Sequence, residues 1–301
     1  MTAELPNRWL ADLSLLTTAC LWGINIPVVR FAAGAVDPFV FNAVRMGLST
    51  LIMGALVWSE TRYRAAASGR YDRRRFVAFA LISGLIYPLL FMQAIRQTTA
   101  GNAALLLSSM PGWTALLSRV FLHERLSSLT WLGLSIAFCG TAAVVMGGHG
   151  IDLSSRYLAG NLWMLTAALC WATATVASGR LLQQISPLKL TFFSSLLTSP
   201  MQLALVSPRL PEQFPLLISG QVLAALLYSG IFSTGLAYVT WHYGVRQLGA
   251  SHASVFQNVV TLVAVGGGWM FLGESLVSTQ LAGGLLIVAG LLLIRYARDR
   301  T

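Results

Sequence analysis

The segment AIRQTTAGNA at 94–103 returns as GVRQLGASHA at 244–253, and FLHERLSSLTWLG at 121–133 returns as FLGESLVSTQLAG at 271–283. Both pairs are offset by 150 positions (246 − 96 for the arginines, 274 − 124 for the glutamates). Outward from these anchors, TTACLW at 17–22 returns as TAALCW at 166–171, and Pro38 returns as Pro187, each 149 positions on. Gly133 and Gly140 return as Gly283 and Gly290. Anchors in one order at near-constant spacing mark an internal duplication, with its joint in GHGIDLSSRY at 148–157. Repeats of this kind constrain the fold before any local reading does.

Each half carries five long apolar runs. They read as 13–31, 38–58, 76–95, 98–121 and 128–147, then 158–181, 187–206, 219–243, 251–271 and 277–296. About 20 apolar residues are needed to cross a ~30 Å hydrocarbon core as a helix. Backbone polar groups find no water there, so a span must be a helix or part of a closed barrel. Continuous runs of this length lack the alternation of a barrel strand. An odd number of crossings per half turns the second half upside down relative to the first. The expected fold is all-α integral membrane, with ten transmembrane helices as two inverted five-helix repeats. Residues 1–150 form one repeat and 151–301 the other, in a single membrane domain.

Composition agrees. The chain is 56% hydrophobic and 10% charged, against roughly 25% charged in soluble domains. Its net charge of +10 comes from topology, not nucleic-acid binding. With both termini in the cytoplasm, 15 of the 20 Lys and Arg fall on the cytoplasmic side, including Arg62, Arg64, Arg70, Arg73, Arg74 and Arg75 in one loop. Arg30, Arg96, Arg156 and Arg209 fall outside, and Arg45 lies within a run. That bias is the positive-inside pattern. The first run is too long for a cleaved signal, and cutting it would leave unequal halves. The expected location is a bacterial inner membrane, multi-pass. The lipid bilayer and a small-molecule substrate are the partners, with no nucleic acid and no obligate protein partner.

Enzyme signatures are missing. No His/Cys cluster has metal spacing and no phosphate loop occurs, so no metal, cofactor or catalytic residue is expected. Cys20, Cys139 and Cys170 lie within runs and read as small packing residues. The carboxylates avoid run centres, where a charge costs several kcal/mol and marks ion or proton relays.

Polar and aromatic residues within the runs fall on helical faces. The first run offers Trp22 and Asn25, and the sixth offers Trp163 and Trp171. The third offers Tyr87 and Phe91, and the fourth Asn102 and Ser109. The eighth offers Tyr238, Trp241 and His242, and the ninth Gln257 and Asn258. A hydrated central cavity would explain these stripes; interhelical hydrogen bonding at about 1 kcal/mol per contact is the alternative. Aromatic walls would favour amphipathic or aromatic ligands through stacking and cation–π contact. Arg45, roughly 10 Å in from Pro38 at 1.5 Å per residue, reads as a snorkelling charge, a structural bond to carbonyls, or a contact to a substrate carboxylate or phosphate. Glu124 and Glu274 close the fourth and ninth runs, and read as helix-end pairing or as gating groups. Glycines in the fifth, ninth and tenth runs, among them Gly266 and Gly267, mark close helix approach.

The segments at 104–140 and 254–290 resemble the repeat signature of the drug/metabolite transporter superfamily, EamA type: a small/polar helix, a glutamate just past its end and a Gly-bearing helix. TTACLWGINIPVVR at 17–30 and PFVFNAVRMG at 38–47, with Arg45, are similar to the family's first two helices. The resemblance covers nearly the whole chain. It implies a ten-helix inverted repeat with a central cavity formed by spans 1, 3, 4, 6, 8 and 9. It also implies export of amino acids, including aromatic ones, or of similar small metabolites by alternating access. Carriage of a sugar, a vitamin or a drug-like cation is the alternative. Pro111 is matched by Thr261 and Arg45 by Ser194, so the halves are expected to differ in bending and in binding groups.

Overall fold

A computed structural model describes residues 8–63, 71–148, 154–272 and 277–299. Among the described residues the regular structure is helical. The helices are α1 (Arg8–Ala35), α2 (Pro38–Tyr63), α3 (Arg73–Ile95, with a π-helical turn at Ile82–Ile86), and α4, built from Ala100–Leu107, Met110–Leu117 and a π-turn Ser118–Leu122. There follow α5 (Ser128–Gly148), α6 (Leu158–Leu181), α7 (Pro187–Val206) and the short α8 (Leu210–Leu217). Next come α9 (Gly220–Leu248, π-helical over Tyr228–Leu236), α10 (Ala250–Ser254 and Phe256–Leu272) and α11 (Ser278–Asp299). Eight of the described helices are long and apolar enough to cross a membrane, or nine if α7 and α8 are counted as one bent span.

Helix starts follow local chemistry. The Asp37 carboxylate accepts from the Phe39 and Val40 amides at 2.8 and 3.3 Å, ahead of Pro38 at the first helical position. Asp72 caps α3 through the Arg74 and Arg75 amides. Thr99 caps α4 through the Asn102 amide, and Ser186 caps α7 through the Lys189 amide. Each such cap satisfies an otherwise orphaned N–H and is worth ~1 kcal/mol. Gly249, at φ +83°, takes the chain from α9 into α10, a backbone geometry that costs other residues strain.

The connection between the spans 187–206 and 219–243 departs from the sequence expectation, whereas the breaks in α4 and α10 follow the expected difference in bending. The Pro-rich 207–216 is not an open loop: α8 folds back at 108° to α7, started by Pro211 at its N-terminus. Pro111 follows a break at Ser108–Ser109, whereas α10 breaks earlier, at Val255, and runs unbroken through Thr261. The repeat mates therefore bend at different heights.

The packing exchanges the two halves. α1 lies on α10 and α9, while α6 lies on α4 and α3. α2 packs on α7, and α5 on α11 in the most extensive contact of the molecule. Direction is readable from the pairs. Gly133 faces Gly290, Gly140 faces Gly283 and Gly147 faces Thr279, so α5 and α11 are antiparallel. Asn42 meets Gln202, Thr50 meets Ser199 and Gly54 meets Phe192, so α2 and α7 are antiparallel too. The Thr50 and Ser199 hydroxyls, 2.6 Å apart, stand at equivalent positions of the duplication. The glycines of α5 and α11 are used within the chain, backbone against backbone. Gly266 and Gly267 are not close-approach points among the described residues, none of which has an atom within 4 Å of a Cβ built there. Nor are the cysteines buried packing residues, since Cys20 and Cys139 are exposed on the outside of the bundle and Cys170 is half-buried.

The start of α1 and the end of α11 meet at one end of the bundle. The Asp12 carboxylate receives the Arg298 guanidinium through paired bonds of 3.0 and 3.2 Å, with Arg295 at 3.5 Å. This pair ties the start of α1 to the end of α11.

Candidate functional site

A cavity of about 580 Å³ occupies the half of the bundle away from the termini. That size falls within the range of small-molecule sites. Its walls come from α1, α2, α3, α4, α5, α6, α9, α10 and α11, and it reaches Phe31, Val145 and Gln280 near the far helix ends.

Its floor is an aromatic cage. Trp22 of α1 meets Trp171 of α6 edge-on at 5.4 Å and Tyr238 of α9 at 5.7 Å. Trp171 stands perpendicular to Tyr238 at 5.7 Å and tilts on Tyr87 of α3 at 5.0 Å. Phe91 follows Tyr87 at 5.9 Å. Aromatic pairs in these geometries contribute ~0.5–1.5 kcal/mol beyond burial. The Trp22 indole N–H is fixed on the Ser233 carbonyl at 3.0 Å. Ser233 lies in the π-stretch of α9, and such stretches disturb the regular i→i−4 ladder. The Ser229 hydroxyl of the same stretch donates to Asn25 Oδ1 at 2.5 Å.

Of the residues expected at the site, Trp22, Asn25, Tyr87 and Phe91 line the cavity, as do Trp171, Tyr238 and Gln257. The buried Trp171 N–H and the buried Gln257 Oε1 have no hydrogen-bond partner among the described residues. Such orphans are costly and call for a ligand or water.

The others lie elsewhere. Trp241 is 1% exposed and packs below the cage, 5.4 Å from Trp22. His242 sits in a separate pocket of about 20 Å³ among hydroxyls, its Nδ1 2.9 Å from Thr191 Oγ1. That volume is room for about one water. Asn102 bonds Asn161 Oδ1 at 3.1 Å and joins α4 to α6. The Ser109 hydroxyl donates to the Leu106 carbonyl and accepts from Trp113 Nε1, while its neighbour Ser108 lines the cavity. Asn258 is buried and accepts from Thr141 of α5. Trp163 is 41% exposed on the outer surface. These are the interhelical or surface alternatives. Glu274 lies outside the described residues.

Arg45 lines the cavity. Its Nε and Nη2 donate to Asn42 Oδ1 at 3.1 and 2.8 Å. The Asn42 amide donates in turn to Gln202 Oε1 at 2.6 Å, and Gln202 Nε2 donates to the Gly84 carbonyl at 2.5 Å. Sequence reading missed Asn42 and Gln202. Asn42 stands one helical turn before Arg45 and was open to detection by that spacing. Gln202 had no such signal.

The terminal end is closed. Leu15, Phe79, Leu181, Leu190, Trp241 and Phe256 belong to one buried apolar cluster, with Trp171 at its top. At the end of α4, Glu124 Oε2 accepts from the Ser251 hydroxyl at 2.5 Å, holding α4 against the start of α10. The Arg180 guanidinium donates to the Phe121 carbonyl, joining α6 to α4.

The chain has many distant relatives of matching length. It is 24% identical over 282 residues to an uncharacterized transporter, YyaM, of Bacillus subtilis, covering 92% of this chain and 91% of that protein. It is 27% identical over 289 residues to a probable terminal-alkyne amino-acid exporter of Streptantibioticus cattleyicolor, covering 91% and 92%. A crystal structure of a chain described only as a protein matches with TM-score 0.78 at 22% identity, over 96% of this chain and 98% of that one, and so shares the fold. The model of the EamA-like transporter family matches twice, at residues 9–146 and 158–296. A cavity between two sets of apolar helices, each set matching that model, makes this chain a multi-pass membrane protein that belongs to the EamA-like transporter family, within the drug/metabolite transporter superfamily.

Proposed function

We propose that the protein exports amino acids, aromatic ones foremost, and similar small metabolites across a bacterial inner membrane by alternating access. The aromatic cage at the floor of the large cavity is the observation that carries this reading. It offers stacking faces to a ring-bearing substrate, with polar groups beside them. The amino-acid exporter among the relatives supports the same class. A drug-like cation is disfavoured, because the charge lining the cavity is the cation Arg45.

In this reading the two halves, 1–150 and 151–301, are inverted five-helix repeats, and α1–α7 with α9–α11 make ten spans. The antiparallel pairing of repeat mates supports it. When Thr50 touches its own counterpart Ser199 across antiparallel helices, a pseudo-two-fold axis passes between them, perpendicular to both. Such an axis lies in the membrane plane, the arrangement of inverted-repeat transporters. The positive-inside count puts the Asp12–Arg298 end in the cytoplasm. The cavity then faces outward, and the apolar cluster closes the cytoplasmic side.

Two experiments test these points. Purified protein in proteoliposomes is expected to move tryptophan and phenylalanine, assayed with and without a pH gradient. Robust flux of another solute class with no amino-acid flux sinks the reading. In a variant lacking native cysteines, Val145→Cys is expected to react with a membrane-impermeant thiol reagent added to whole cells. A cysteine at Leu248, at the terminal end, is expected to stay unlabelled. The reverse pattern overturns the orientation.

A further inference from the structure

We infer that Arg45 is the carboxylate-recognition residue of the cavity, which makes it a specificity-determining site for a monoanionic group on the substrate. The inference rests on the exporter reading for the rest of the substrate but not for the anion.

A guanidinium has five N–H donors and no acceptor. Two of them in Arg45 go to Asn42 Oδ1. The others have no partner among the described residues, and the side chain lines the cavity. The chain Arg45 to Asn42 to Gln202 to the Gly84 carbonyl runs through neutral groups only, across α2, α7 and α3. It fixes which way the Asn42 amide faces and holds the guanidinium in one orientation. It does not neutralise the charge.

A structural arginine inside a membrane would be expected to pair with a carboxylate or with backbone carbonyls, whereas the bonds of Arg45 among the described residues go to the Asn42 side chain. Among the described residues, three carboxylates are engaged at helix ends. Asp12 pairs with Arg298 and Arg295, Asp37 with Arg209, and Glu124 takes the Ser251 hydroxyl. The head reaches one turn back along its own helix to Asn42 and lines the cavity, so its charge is presented to the cavity interior. A partly buried, oriented and unbalanced cation is therefore a site for an anion that arrives with the substrate. One guanidinium balances one charge, which fits a carboxylate better than a phosphate dianion. Planar Arg–carboxylate pairing is two-pronged, so a lysine would replace it poorly. The unpartnered Trp171 N–H and Gln257 Oε1 add one donor and one acceptor to the same cavity. Cation, N–H donor and carbonyl acceptor together suit a zwitterion, the carboxylate going to Arg45 and the ammonium to the Gln257 oxygen. The duplication has Ser194 at the matching position, its hydroxyl spent on the Leu190 carbonyl. One anion site per molecule follows.

The test is equilibrium binding of labelled ligands to the full-length protein in detergent. Tryptophan, tryptamine (no carboxylate) and indolepropionate (no amine) are compared. Wild type is expected to bind tryptophan about 10- to 100-fold more tightly than tryptamine, the range for a hydrogen-bonded charged group. Arg45→Gln is expected to erase that preference, and Arg45→Lys to keep a fraction of it. Tryptamine binding as tightly as tryptophan, or an Arg45→Gln variant with undiminished preference, overturns the inference. Should Arg45→Gln fail to fold, the wild-type preference and its partial retention in Arg45→Lys decide the matter. If no aromatic ligand binds, the exporter reading fails separately. Small carboxylates against their amides then test Arg45 alone: an acid preference lost in Arg45→Gln supports it, and no preference overturns it.

Discussion

Replacing Gly283 with leucine is expected to remove most folded protein from the membrane, read as loss of the monodisperse peak in detergent chromatography and a collapse of thermal stability. A Cβ on Gly283 would stand 2.5 Å from the Gly140 carbonyl oxygen and 2.8 Å from the Val144 amide nitrogen. Both obstacles are backbone, so no rotamer change relieves them. α5 and α11 would have to separate, and theirs is the most extensive contact in the molecule. Lipid tails are as apolar as side chains, so membrane helices associate through such close packing and not through exclusion of water. Overpacking a soluble core costs ~1–3 kcal/mol. Here the separation would propagate along the whole helix pair, so the loss is expected at or above that range. Gly140→Leu is expected to do the same, because its Cβ would meet the Gly283 carbonyl at 2.6 Å. Gly266→Ala is the control. No described atom lies within 4 Å of a Cβ at that site, and removing a helical glycine is expected to leave stability unchanged or raise it by roughly 0.5–1 kcal/mol. If Gly283→Leu melts like wild type, the antiparallel α5–α11 contact is wrong, and the geometric case for inverted halves loses one of its two supports.

The duplication was legible because both halves solve one packing problem. Gly133, Gly140, Gly283 and Gly290 recur since each must let a backbone through. The same logic misleads for Gly266 and Gly267, where no described atom stands beside the position a Cβ would take; composition cannot say which side of a helix has a neighbour. Bends were less legible than spans. Proline marks the interruption near Pro111, and it also marks the π-turn at Ile82–Ile86, where Pro88 has no N–H for the Gly84 carbonyl and Gln202 of α7 bonds that carbonyl instead. At Tyr228–Leu236 the signal is faint: Ser229 and Ser233 alternate with glycines, and only α1 in place explains their use.

The site was legible where a residue's size and chemistry leave few alternatives. Trp22, Tyr87, Trp171 and Tyr238 each expose a ring edge that seeks another ring, and they converge. Amides were harder. Gln257 and Asn258 are adjacent on α10 and diverge by about 100° around the helix, so one reaches the cavity and the other bonds Thr141. Nothing local to the pair distinguishes them. Asn102 and Ser109 serve helix joints, which any polar stripe in a membrane must also supply. His242 shows the limit most plainly: one turn from Tyr238, it falls behind that ring and not in front of it.

The tryptophans carry the last prediction, because Trp171 and Trp163 are expected to behave in opposite ways. Trp171→Ala should lower transport at least tenfold and also cost roughly 3–5 kcal/mol of stability, the usual range for truncating a buried tryptophan. Its ring touches Trp22, Tyr87, Tyr238 and Trp241, and it is 5% exposed. A loss of both quantities cannot by itself separate a binding role from a packing role, so Trp171→Phe is the informative partner. Phenylalanine keeps a ring against the cage and removes the unpartnered N–H. Deleting an orphaned donor does not sacrifice an internal bond, so stability should fall far less than for alanine, while substrate loses the donor it would have met. Transport depressed in Trp171→Phe with near-native melting places the indole N–H in substrate binding. Transport that tracks stability across both variants returns Trp171 to packing. Trp163→Ala should change neither quantity by a measurable amount, since that side chain is 41% exposed on the outer surface. An effect there equal to that at Trp171 would mean that the cavity drawn around Trp22, Tyr87 and Tyr238 is not the path the substrate takes.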